Sequence, residues 1–339
     1  MSNRPLLQID NLSTHYVSAR GTRVVRAVDD ISLRIDAGET LGVVGESGSG
    51  KSTLALTILR LLPPAARIAS GKMLFEGEDL LQKSDAEMRR VRGKRIAMIL
   101  QDPMASLNPL FTIGDQVAEP IRVHEGTRRR AAWRRALDLL KAVRIASPQT
   151  RVSQHPHEMS GGMRQRIVGA IGISCEPRLL IADEPTTSLD LTIQAQYLNL
   201  LRELQREHGL ALIFITHNLG IVAKMCDQLA VMYAGRVVEW GPVRHVFNNP
   251  SHPYTKALLA SIPRMSDGRQ RLTAIEGQPP DLVSLPSGCA FAPRCPSAHE
   301  RCRSEAPPEI AAQDGRTVRC WLAGDGAGLA NGQLRAGVA

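Results

Sequence analysis

Aromatic residues make up only 4% of this 339-residue chain, and long apolar runs are absent. The longest apolar runs, such as residues 210–215, have the length of a strand, whereas a membrane span needs ~18 to 20 apolar residues. So few aromatic side chains supply little for stacking the bases of single-stranded nucleic acid. Residues 1–10 lack the charged, apolar and small-residue segments of a secretory signal. These absences predict a cytoplasmic protein that does not cross a bilayer by itself.

Hydrophobic residues account for 43% of the chain and charged residues for 22%, which is the balance of a folded globular protein. The 42 Lys and Arg residues exceed the 33 Asp and Glu residues, so the formal net charge is +9. A positive balance bears on partners rather than on fold, and it suits nucleic acid, a membrane surface or simple solubility. The composition therefore predicts a folded chain and leaves the class of partner open.

Strand-like and helix-like segments alternate over about the first 240 residues, which predicts an α/β domain. Residues 6–10, 24–28 and 31–35 alternate between apolar and polar, as half-buried antiparallel strands do. Later segments are almost wholly apolar, which is typical of strands covered on both faces. These later segments are residues 41–44, 96–100, 179–182, 210–215 and 229–232.

Between residues 101 and 165 the pattern becomes helical, and Thr127 is expected to cap one of the helices. Apolar residues recur at helical spacing after it, namely Trp133, Leu137, Leu140 and Val143. Arginines at positions 128–130, 134 and 135 could indicate nucleic-acid binding, but such runs are more typical of the solvated face of an amphipathic helix. This region is therefore expected to form a small helical lobe.

The character of the chain changes after residue 241. Residues 248–321 contain many prolines, four of the six cysteines and little periodicity. This composition predicts an appended segment that does not continue the sheet. Residues 323–339 are small and Gly-rich, which predicts a disordered tail.

A glycine-rich loop, Gly45-Glu-Ser-Gly-Ser-Gly-Lys51-Ser52, lies between the apolar strand 41–44 and a helix-compatible segment, residues 53–62. It fits the pattern G-x-x-x-x-G-K-[ST], whose glycines let successive backbone N–H groups point at phosphate oxygens. The N-terminus of the following helix adds partial positive charge. Lys51 is expected to reach the β- and γ-phosphates, and the Ser52 hydroxyl to ligate Mg²⁺. The loop therefore predicts a nucleotide site, against the alternative of a plain glycine-rich turn.

A second buried strand, residues 179–182, ends in the two acids Asp183 and Glu184. Phosphate chemistry needs a metal held by a carboxylate and a water activated for attack. The carboxyl ends of strands in such a sheet lie at the edge where the phosphate loop also lies. Asp183 is therefore expected to bind Mg²⁺ through water, and Glu184 to act as general base. Read alone, the two acids could instead be an acidic cap at a strand end.

Further motifs surround these two elements in a fixed order. They are Gln101 in Leu-Gln-Asp-Pro, residues 159–165 (Met-Ser-Gly-Gly-Met-Arg-Gln), residues 187–190 (Thr-Ser-Leu-Asp) and residues 215–217 (Ile-Thr-His). Together the motifs resemble the nucleotide-binding subunits of ATP-binding cassette (ABC) transporters, over roughly residues 6–245. The resemblance implies a P-loop NTPase fold with a mixed sheet core, an antiparallel β subdomain and a helical subdomain at about residues 102–165.

The resemblance also implies roles for single residues. Tyr16 matches the aromatic residue that stacks on adenine, although a tyrosine in such a strand can also simply be packed. Gln101 is implied to touch Mg²⁺ and the attacking water, and His217 to contact the γ-phosphate and hold Glu184 in place. The implied catalytic residues are Glu184, His217 and Gln101, and the implied Mg²⁺ ligands are Ser52, Gln101 and Asp183. The implied nucleotide-binding residues are Tyr16, Gly45, Ser47, Gly48, Gly50, Lys51, Ser52, Thr53, Ser160, Gly161, Gly162, Asp183 and Asp190.

The turn at Ser160, Gly161 and Gly162 is implied to cap the nucleotide of a second subunit, through a helix N-terminus and a serine hydroxyl. Asp190 is implied to lie across the same interface, so that hydrolysis of ATP is a property of a dimer. Met163 departs from the glutamine that is commonest in the family at this place. Activity is expected to survive, because the serine and the glycines make the phosphate contacts.

Finer detail resembles the dipeptide and oligopeptide importers of bacteria and extends the resemblance to about residue 321. The matching segments are residues 101–109, 160–165, 182–190, 252–259 and 288–296. The resemblance implies an ATPase that drives peptide import at the cytoplasmic face of the bacterial inner membrane, attached peripherally. Its implied partners are a second, related ATP-binding subunit, two transmembrane permease subunits that contact residues 102–111, and an extracytoplasmic substrate-binding protein; nucleic acid is not expected.

Three parts of the chain follow from this interpretation: a nucleotide-binding domain at residues 1–245, an extension at 246–322 and the tail at 323–339. Two alternatives stay open. Closely similar cassettes serve importers of nickel, glutathione or peptide antibiotics. A soluble ABC ATPase acting on nucleic acid is disfavoured, because Lys51 and Asp183 are only 132 positions apart (183 − 51) and the chain holds one cassette.

Four cysteines of the extension, Cys289, Cys295, Cys302 and Cys320, have the spacing C-x₅-C-x₆-C-x₁₇-C. Structural disulfides are disfavoured in a reducing cytoplasm, so clustered thiols there suggest a metal. Zinc sites usually contain cysteine pairs separated by about two to four residues, which this spacing lacks. A [4Fe–4S] cluster takes four thiolates at wider spacing, and some relatives with this tail hold one. We therefore expect an iron–sulfur cluster, with zinc and free thiols as alternatives.

Overall fold

The structure is a computed structural model that describes residues 4–187, 189–262, 275–312 and 315–324. The strands in these ranges are β1 (Leu7–Val17), β2 (Val24–Ile35), β3 (Thr40–Val44), β4 (Ala66–Phe75), β5 (Glu78–Asp79), β6 (Ile96–Ile99), β7 (Leu179–Asp183), β8 (Ala211–Ile215), β9 (Gln228–Tyr233), β10 (Arg236–Pro242), β11 (Ile310–Ala311) and β12 (Thr317–Val318). The helices are α1 (Lys51–Ile58), α2 (Asp85–Val91), α3 (Pro103–Ser106), α4 (Ile113–Glu125), α5 (Arg129–Ala142), α6 (Pro148–Arg151), α7 (Gly161–Ile173), α8 (Leu191–His208), α9 (Leu219–Met225), α10 (Val243–Asn248), α11 (Pro253–Ala260), α12 (Glu300–Ser304) and α13 (Trp321–Gly324).

The strands form two sheets. The smaller one is antiparallel and has the order β2-β1-β4-β5. The larger one has the order β11-β12-β10-β9-β3-β8-β7-β6, in which the five strands from β9 to β6 run parallel. Its other three strands are antiparallel to their neighbours. The mixed sheet with an antiparallel subdomain confirms the predicted fold class.

Each face of the larger sheet carries its own hydrophobic core. Ile213 of β8 packs in the cluster that holds Ile9 of β1 and Leu54 of α1, beneath the antiparallel sheet. Its neighbour Phe214 packs in the other cluster, with Leu140 of α5. Successive side chains of a strand point to opposite faces, so the central strands are covered on both sides, as their apolar runs predict. This layering places the carboxyl ends of β3, β7 and β8 side by side at one edge.

The predicted helical lobe is present as α3 to α6, and it continues into α7 beyond residue 165. Leu140 and Val143 are fully buried, whereas Trp133 and Leu137 are half-buried. The prediction that Thr127 caps a helix is wrong. The N-cap of α5 is Arg128, which makes no side-chain capping bond. An arginine side chain has no acceptor for the free N–H groups, so the helix begins without a side-chain cap.

The extension differs from its prediction in one respect, because β11 and β12 add to the edge of the main sheet. Glu239 of β10 pairs with Val318 of β12, and Trp240 pairs with Thr317. Strands of two residues are too short to show a period, so the sequence pattern could not reveal them. None of the helices in the described ranges combines the length and apolarity of a membrane span. Residues 325–339 of the predicted disordered tail lie outside the described residues.

Candidate functional site

The phosphate loop connects β3 to α1 through glycines that no other residue could replace without strain. Gly45 has a φ of +155°, and a Cβ built on it would lie 2.2 Å from the carbonyl oxygen of Met232. Gly50 has a φ of +101°, and its Cβ would lie 2.0 Å from the carbonyl oxygen of Ala27. The left-handed angle of Gly50 and the two close backbone approaches both require glycine. The loop is therefore held in a curled form by its neighbours.

Lys51, the first residue of α1, folds back into this loop. Its ammonium donates hydrogen bonds to the carbonyl oxygens of Gly45 (2.8 Å) and Glu46 (2.9 Å). The residue is only 7% exposed, and this burial lowers its pKa, while the carboxylates of Glu184 and Asp183 oppose the shift. A buried cation held by neutral carbonyls is an attractive partner for an incoming anion, since charge-assisted bonds are stronger than those to carbonyls.

Asp183, the last residue of β7, is buried beside the start of α1. Burial raises the pKa of its carboxyl group, and a hydrogen bond from Ser52 opposes that shift. Its Oδ1 atom is buried and has no hydrogen-bond partner within the described part of the chain. A buried acceptor without a partner is costly, and a hydrated Mg²⁺ would satisfy it. The side chains of Ser52 and Asp183 therefore fit the predicted metal position.

Glu184 lies at the centre of a group of side chains from three strand ends. Gln101, after β6, donates from Nε2 to Glu184 Oε2 at 3.0 Å, and His217, after β8, places Nδ1 3.3 Å from Oε1. Thr187, which the sequence analysis did not assign a role, donates its hydroxyl to Oε2 at 3.0 Å. Glu184 itself has a φ of +46°, an angle uncommon for a residue with a side chain. The structure thus brings together all three predicted catalytic residues.

The backbone of Glu184 explains how this angle is maintained. Its N–H donates to the carbonyl oxygen of Ile215 at 2.9 Å, which extends the pairing of β7 with β8 by one residue. The carboxylate consequently accepts bonds on one side from Gln101 and Thr187 and faces the exposed imidazole of His217 on the other. Strained backbone of this kind is found at functional sites, where neighbouring contacts hold a side chain in one orientation.

Tyr16 lies near the first turn of α1. It is half-buried in β1, and its hydroxyl is 3.3 Å from the Oγ1 atom of Thr53. Ser47 and Gly48 belong to the exposed outer part of the phosphate loop. The predicted adenine contact and the phosphate loop therefore meet at the first turn of α1.

The remaining predicted residues form a separate group. Ser160 is the N-cap of α7, where its Oγ atom accepts a bond from the N–H of Met163 at 3.3 Å. Asp190 is the N-cap of α8 and accepts from Thr192 and Ile193, each at 3.0 Å. Ser160, Gly161 and Asp190 are exposed. No hydrogen bond or ion pair within the described ranges joins Ser160 or Asp190 to the phosphate loop, so the structure does not unite the two groups in one chain.

The four cysteines of the extension line one pocket. Burial raises the pKa of Cys289 and Cys295, and it raises that of Cys320 to about 11. Within the ranges that the structure describes, however, no three His, Cys, Asp or Glu side chains are arranged to hold a metal ion. The thiols therefore share a location, but their geometry does not support the predicted iron–sulfur cluster.

Comparisons with known proteins cover both parts of the chain. The family model for ABC transporters matches residues 28–187, and the model for the C-terminal region of oligopeptide/dipeptide transporters matches residues 238–302. The dipeptide transport ATP-binding protein DppD of Bacillus subtilis is 48% identical over 318 residues, covering 94% of this chain and 94% of that protein. The oligopeptide transport ATP-binding protein OppD of Haemophilus influenzae is 45% identical, covering 95% of this chain and 98% of that protein.

A solved structure gives the same result for the fold. The dimeric structure of MJ0796, described as a bacterial ABC transporter cassette, superposes with a TM-score of 0.62 at 25% sequence identity. It covers 70% of this chain and 99% of that chain.

Proposed function

The chain belongs to the ABC transporter family, and we propose that it is the ATP-hydrolysing subunit of a bacterial importer of dipeptides and oligopeptides. The named relatives support this cargo, because they are similar along nearly the whole chain, including the extension. The observation that carries the proposal is the group around Glu184, in which Gln101 and His217 hold a carboxylate next to the phosphate loop.

In the proposed reaction, ATP binds with its phosphates in the curled loop, and Lys51 exchanges its carbonyl partners for phosphate oxygens. Ser52, Asp183 and Gln101 would hold Mg²⁺, which when bound would neutralise charge on the phosphate oxygens. Glu184 takes a proton from the attacking water, and His217 keeps the Glu184 carboxylate oriented. The preformed hydrogen bonds to Glu184 mean that little reorganisation is needed at the moment of reaction.

We propose that the exposed Ser160 turn completes the site of another subunit. Capping bonds use only part of the capacity of Ser160, because a hydroxyl can donate one bond and accept two. Asp190 stands beside Leu191, a large apolar side chain that is 83% exposed, as expected for a residue covered by a second chain. From the family resemblance we propose a related ATP-binding subunit as this second chain; the exposed surface itself fits a homodimer as well as a heterodimer.

The membrane partners are proposed to bind beside the helical lobe. Leu110 and Phe111, at the end of the predicted coupling segment, are 82% and 54% exposed. A groove beside α4 is lined by further apolar side chains, including Leu61, Leu100 and Val123. These surfaces support contact with permease subunits. That there are two of them, fed by an extracytoplasmic substrate-binding protein, is proposed from the family resemblance. The chain then lies peripherally on the cytoplasmic face of the inner membrane.

A Glu184→Gln variant tests the function. In the assembled transporter it should bind ATP like the wild type, while phosphate release and uptake of a labelled dipeptide both fall by about 100-fold or more, because an amide cannot accept the proton. Glu203→Gln is the matched control, since Glu203 is an exposed acid of α8 paired with Arg144. Unchanged phosphate release would remove Glu184 as the base. Normal ATP hydrolysis without peptide-dependent uptake would remove the proposed cargo.

Among the states that the sequence leaves open for the four cysteines, we propose the [4Fe–4S] cluster. Its support is the shared pocket and the resemblance of the extension, and not ligand geometry. The test is to measure iron and acid-labile sulfide in protein purified without oxygen. We expect four irons in the wild type. They should be lost in a Cys295→Ser variant and retained in a Cys175→Ser variant, which changes a buried cysteine outside the extension. Iron-free protein with bound zinc, or with four reactive thiols, would contradict the proposal.

A further inference from the structure

The extension reaches the phosphate loop of its own chain through one arginine. Arg294 donates from Nη1 to Glu46 Oε2 at 2.8 Å and from Nη2 to Glu46 Oε1 at 3.0 Å. Glu46 follows the first glycine of the loop, so this forked pair joins two residues that are 248 positions apart. The arginine side chain is 5% exposed and the glutamate side chain 25% exposed. The pair therefore lies largely out of water, where charge interactions are strong.

The remaining bonds of Arg294 fix its position. Its Nε atom donates to the carbonyl oxygen of Glu276 at 2.9 Å, and its Nη1 atom donates to the Tyr233 hydroxyl at 3.2 Å. The guanidinium also lies near the rings of Tyr233 and Phe291, with centroid distances of 5.8 and 6.0 Å. Bonds on several sides and two aromatic neighbours leave the planar group one orientation.

A second residue of the extension contacts the same point of the loop. Tyr254, in α11, is fully buried, and its hydroxyl accepts a bond from the backbone N–H of Glu46 at 3.0 Å. Tyr254 packs against Tyr233 with ring centroids 4.6 Å apart. Both the side chain and the backbone of Glu46 are therefore held by residues of the extension, which lie after residue 245.

The charge of Glu46 makes this contact consequential. Its backbone carbonyl accepts a bond from Lys51, the residue proposed to bind the phosphates. A carboxylate this close to a polyphosphate site repels the anionic ligand unless a cation compensates it. Arg294 supplies that compensation and keeps the carboxylate turned toward itself.

We propose that Arg294 is a positioning residue for ATP, which acts through Glu46 by neutralising its charge and holding the phosphate loop open for the nucleotide. This inference rests on the proposed nucleotide role of the loop and deepens it. The extension thereby contributes to ATP affinity and not only to attachment. Arg294 touches no reacting atom, so its loss affects binding more than the chemical step.

The experiment measures the dissociation constant of ATP and the turnover at saturating ATP for the full-length protein in its transporter. Arg294→Gln should weaken ATP binding by about tenfold with turnover within about twofold of the wild type, since it leaves the carboxylate without its cation. Glu46→Gln should tighten ATP binding by about threefold, because it removes the repelling charge. The double variant Arg294→Gln/Glu46→Gln should bind ATP at most about threefold more weakly than the wild type, so that it recovers most of the affinity lost in Arg294→Gln.

That recovery separates the proposal from a merely structural role. If Arg294 only fastens the extension, the double variant binds ATP no better than Arg294→Gln, and the proposal is overturned. Arg294→Lys keeps the charge without the fork and should recover more than half of the lost affinity. Arg301→Gln is the matched control in the same extension, where Arg301 forms an exposed pair with Glu305, and it should bind ATP as the wild type does.

Two further outcomes are decisive. If Arg294→Gln does not fold, Glu46→Gln decides, because weaker ATP binding by that variant overturns the proposal. If the wild type itself fails to bind ATP, the proposed function of the loop fails. If the wild type binds ATP and Arg294→Gln binds it equally well, only the proposed role of Arg294 fails.

Discussion

The two groups of predicted nucleotide contacts differ in what holds them. Lys51 and Asp183 are 7% and 5% exposed, and their neighbours are other residues of the same site. Ser160 and Asp190 are exposed, and within the described residues their side-chain hydrogen bonds cap the helices that they begin. One group is therefore buried and packed within the chain, whereas the other presents its polar atoms to the outside.

Under the proposed function, this difference indicates how the reaction is divided between subunits. A buried group can bind ATP in a single chain, because its positions are fixed by the sheet and by the extension. The exposed group, on the same proposal, gains a ligand when a second chain supplies a nucleotide. Changes in the first group should thus affect binding to one chain, and changes in the second should affect only the assembled state.

The largest effect is expected from Lys51→Ala. Loss of the ammonium removes charge-assisted bonds to the phosphates, so the ATP affinity of the isolated chain should fall by about 100-fold or more. Titration with a fluorescent ATP analogue measures this. Lys224→Ala, which changes an exposed lysine of α9, is the control. Equal affinities of the two variants would break the comparison, because the buried group would then not be the binding group.

Ser160→Ala should have a smaller effect that appears only in the assembly. ATP binding to the single chain should be unchanged, while turnover of the transporter should fall by about tenfold, since one bond to the nucleotide is lost. The variant also loses the cap of α7, which costs about 1 kcal/mol of stability. Thr112→Ala controls for this, because Thr112 caps α4 in the same way. A similar loss of turnover in both variants would reduce Ser160 to a structural cap.

From the sequence, the buried group is easier to predict than the long-range contacts of the chain, and the reason is physical. Gly45, Gly50 and Lys51 stand in one loop, and Asp183 and Glu184 are adjacent, so local spacing is enough to find them. The parallel sheet then brings Gln101 and His217 to Glu184, because all three follow neighbouring strands. The spacing of the motifs therefore predicts Lys51, Asp183 and Glu184, whereas the predicted roles of Gln101 and His217 come from the family resemblance.

Other features have no local signal. Arg294 meets Glu46 only because the extension folds back over the cassette, and nothing within a few residues of either indicates the pair. The strands β11 and β12 are too short to show alternation, and their pairing depends on the free edge of β10. Thr127 has the right residue type for an N-cap, but the backbone enters the helix one residue later. Each of these features is decided by tertiary packing, which overrides local preference.

Tyr16 allows a finer division within the buried group. Tyr16→Ala should weaken ATP binding by about fivefold if the ring stacks on adenine, because such stacking is worth about 1 kcal/mol. Tyr16→Phe keeps the ring and loses only the hydroxyl contact to Thr53, so it should bind ATP nearly as the wild type does. The same titration, repeated with GTP, tests whether the contact of Tyr16 depends on the identity of the base. If both variants bind like the wild type, Tyr16 is simply packed.

The smallest effect is expected from a fall in pH, which should lower the stability of the part of the extension that contacts the phosphate loop. His252 is fully buried at the N-cap of α11, the helix that carries Tyr254 to Glu46, and burial lowers its pKa to about 3. The unfolded chain takes up a proton near pH 6.5 that the folded chain refuses, so stability is lost as the pH falls below that value. From pH 7 to 6 the loss of stability is ~0.7 kcal/mol, or about 2 °C in the melting temperature.

His252→Asn is the variant that tests this effect. It keeps an acceptor for the N–H of Tyr254 and lacks this titration, so its melting temperature should fall by about 2 °C less than that of the wild type over the same pH range. An equal fall of the melting temperature in both proteins would show that His252 does not make the stability depend on pH.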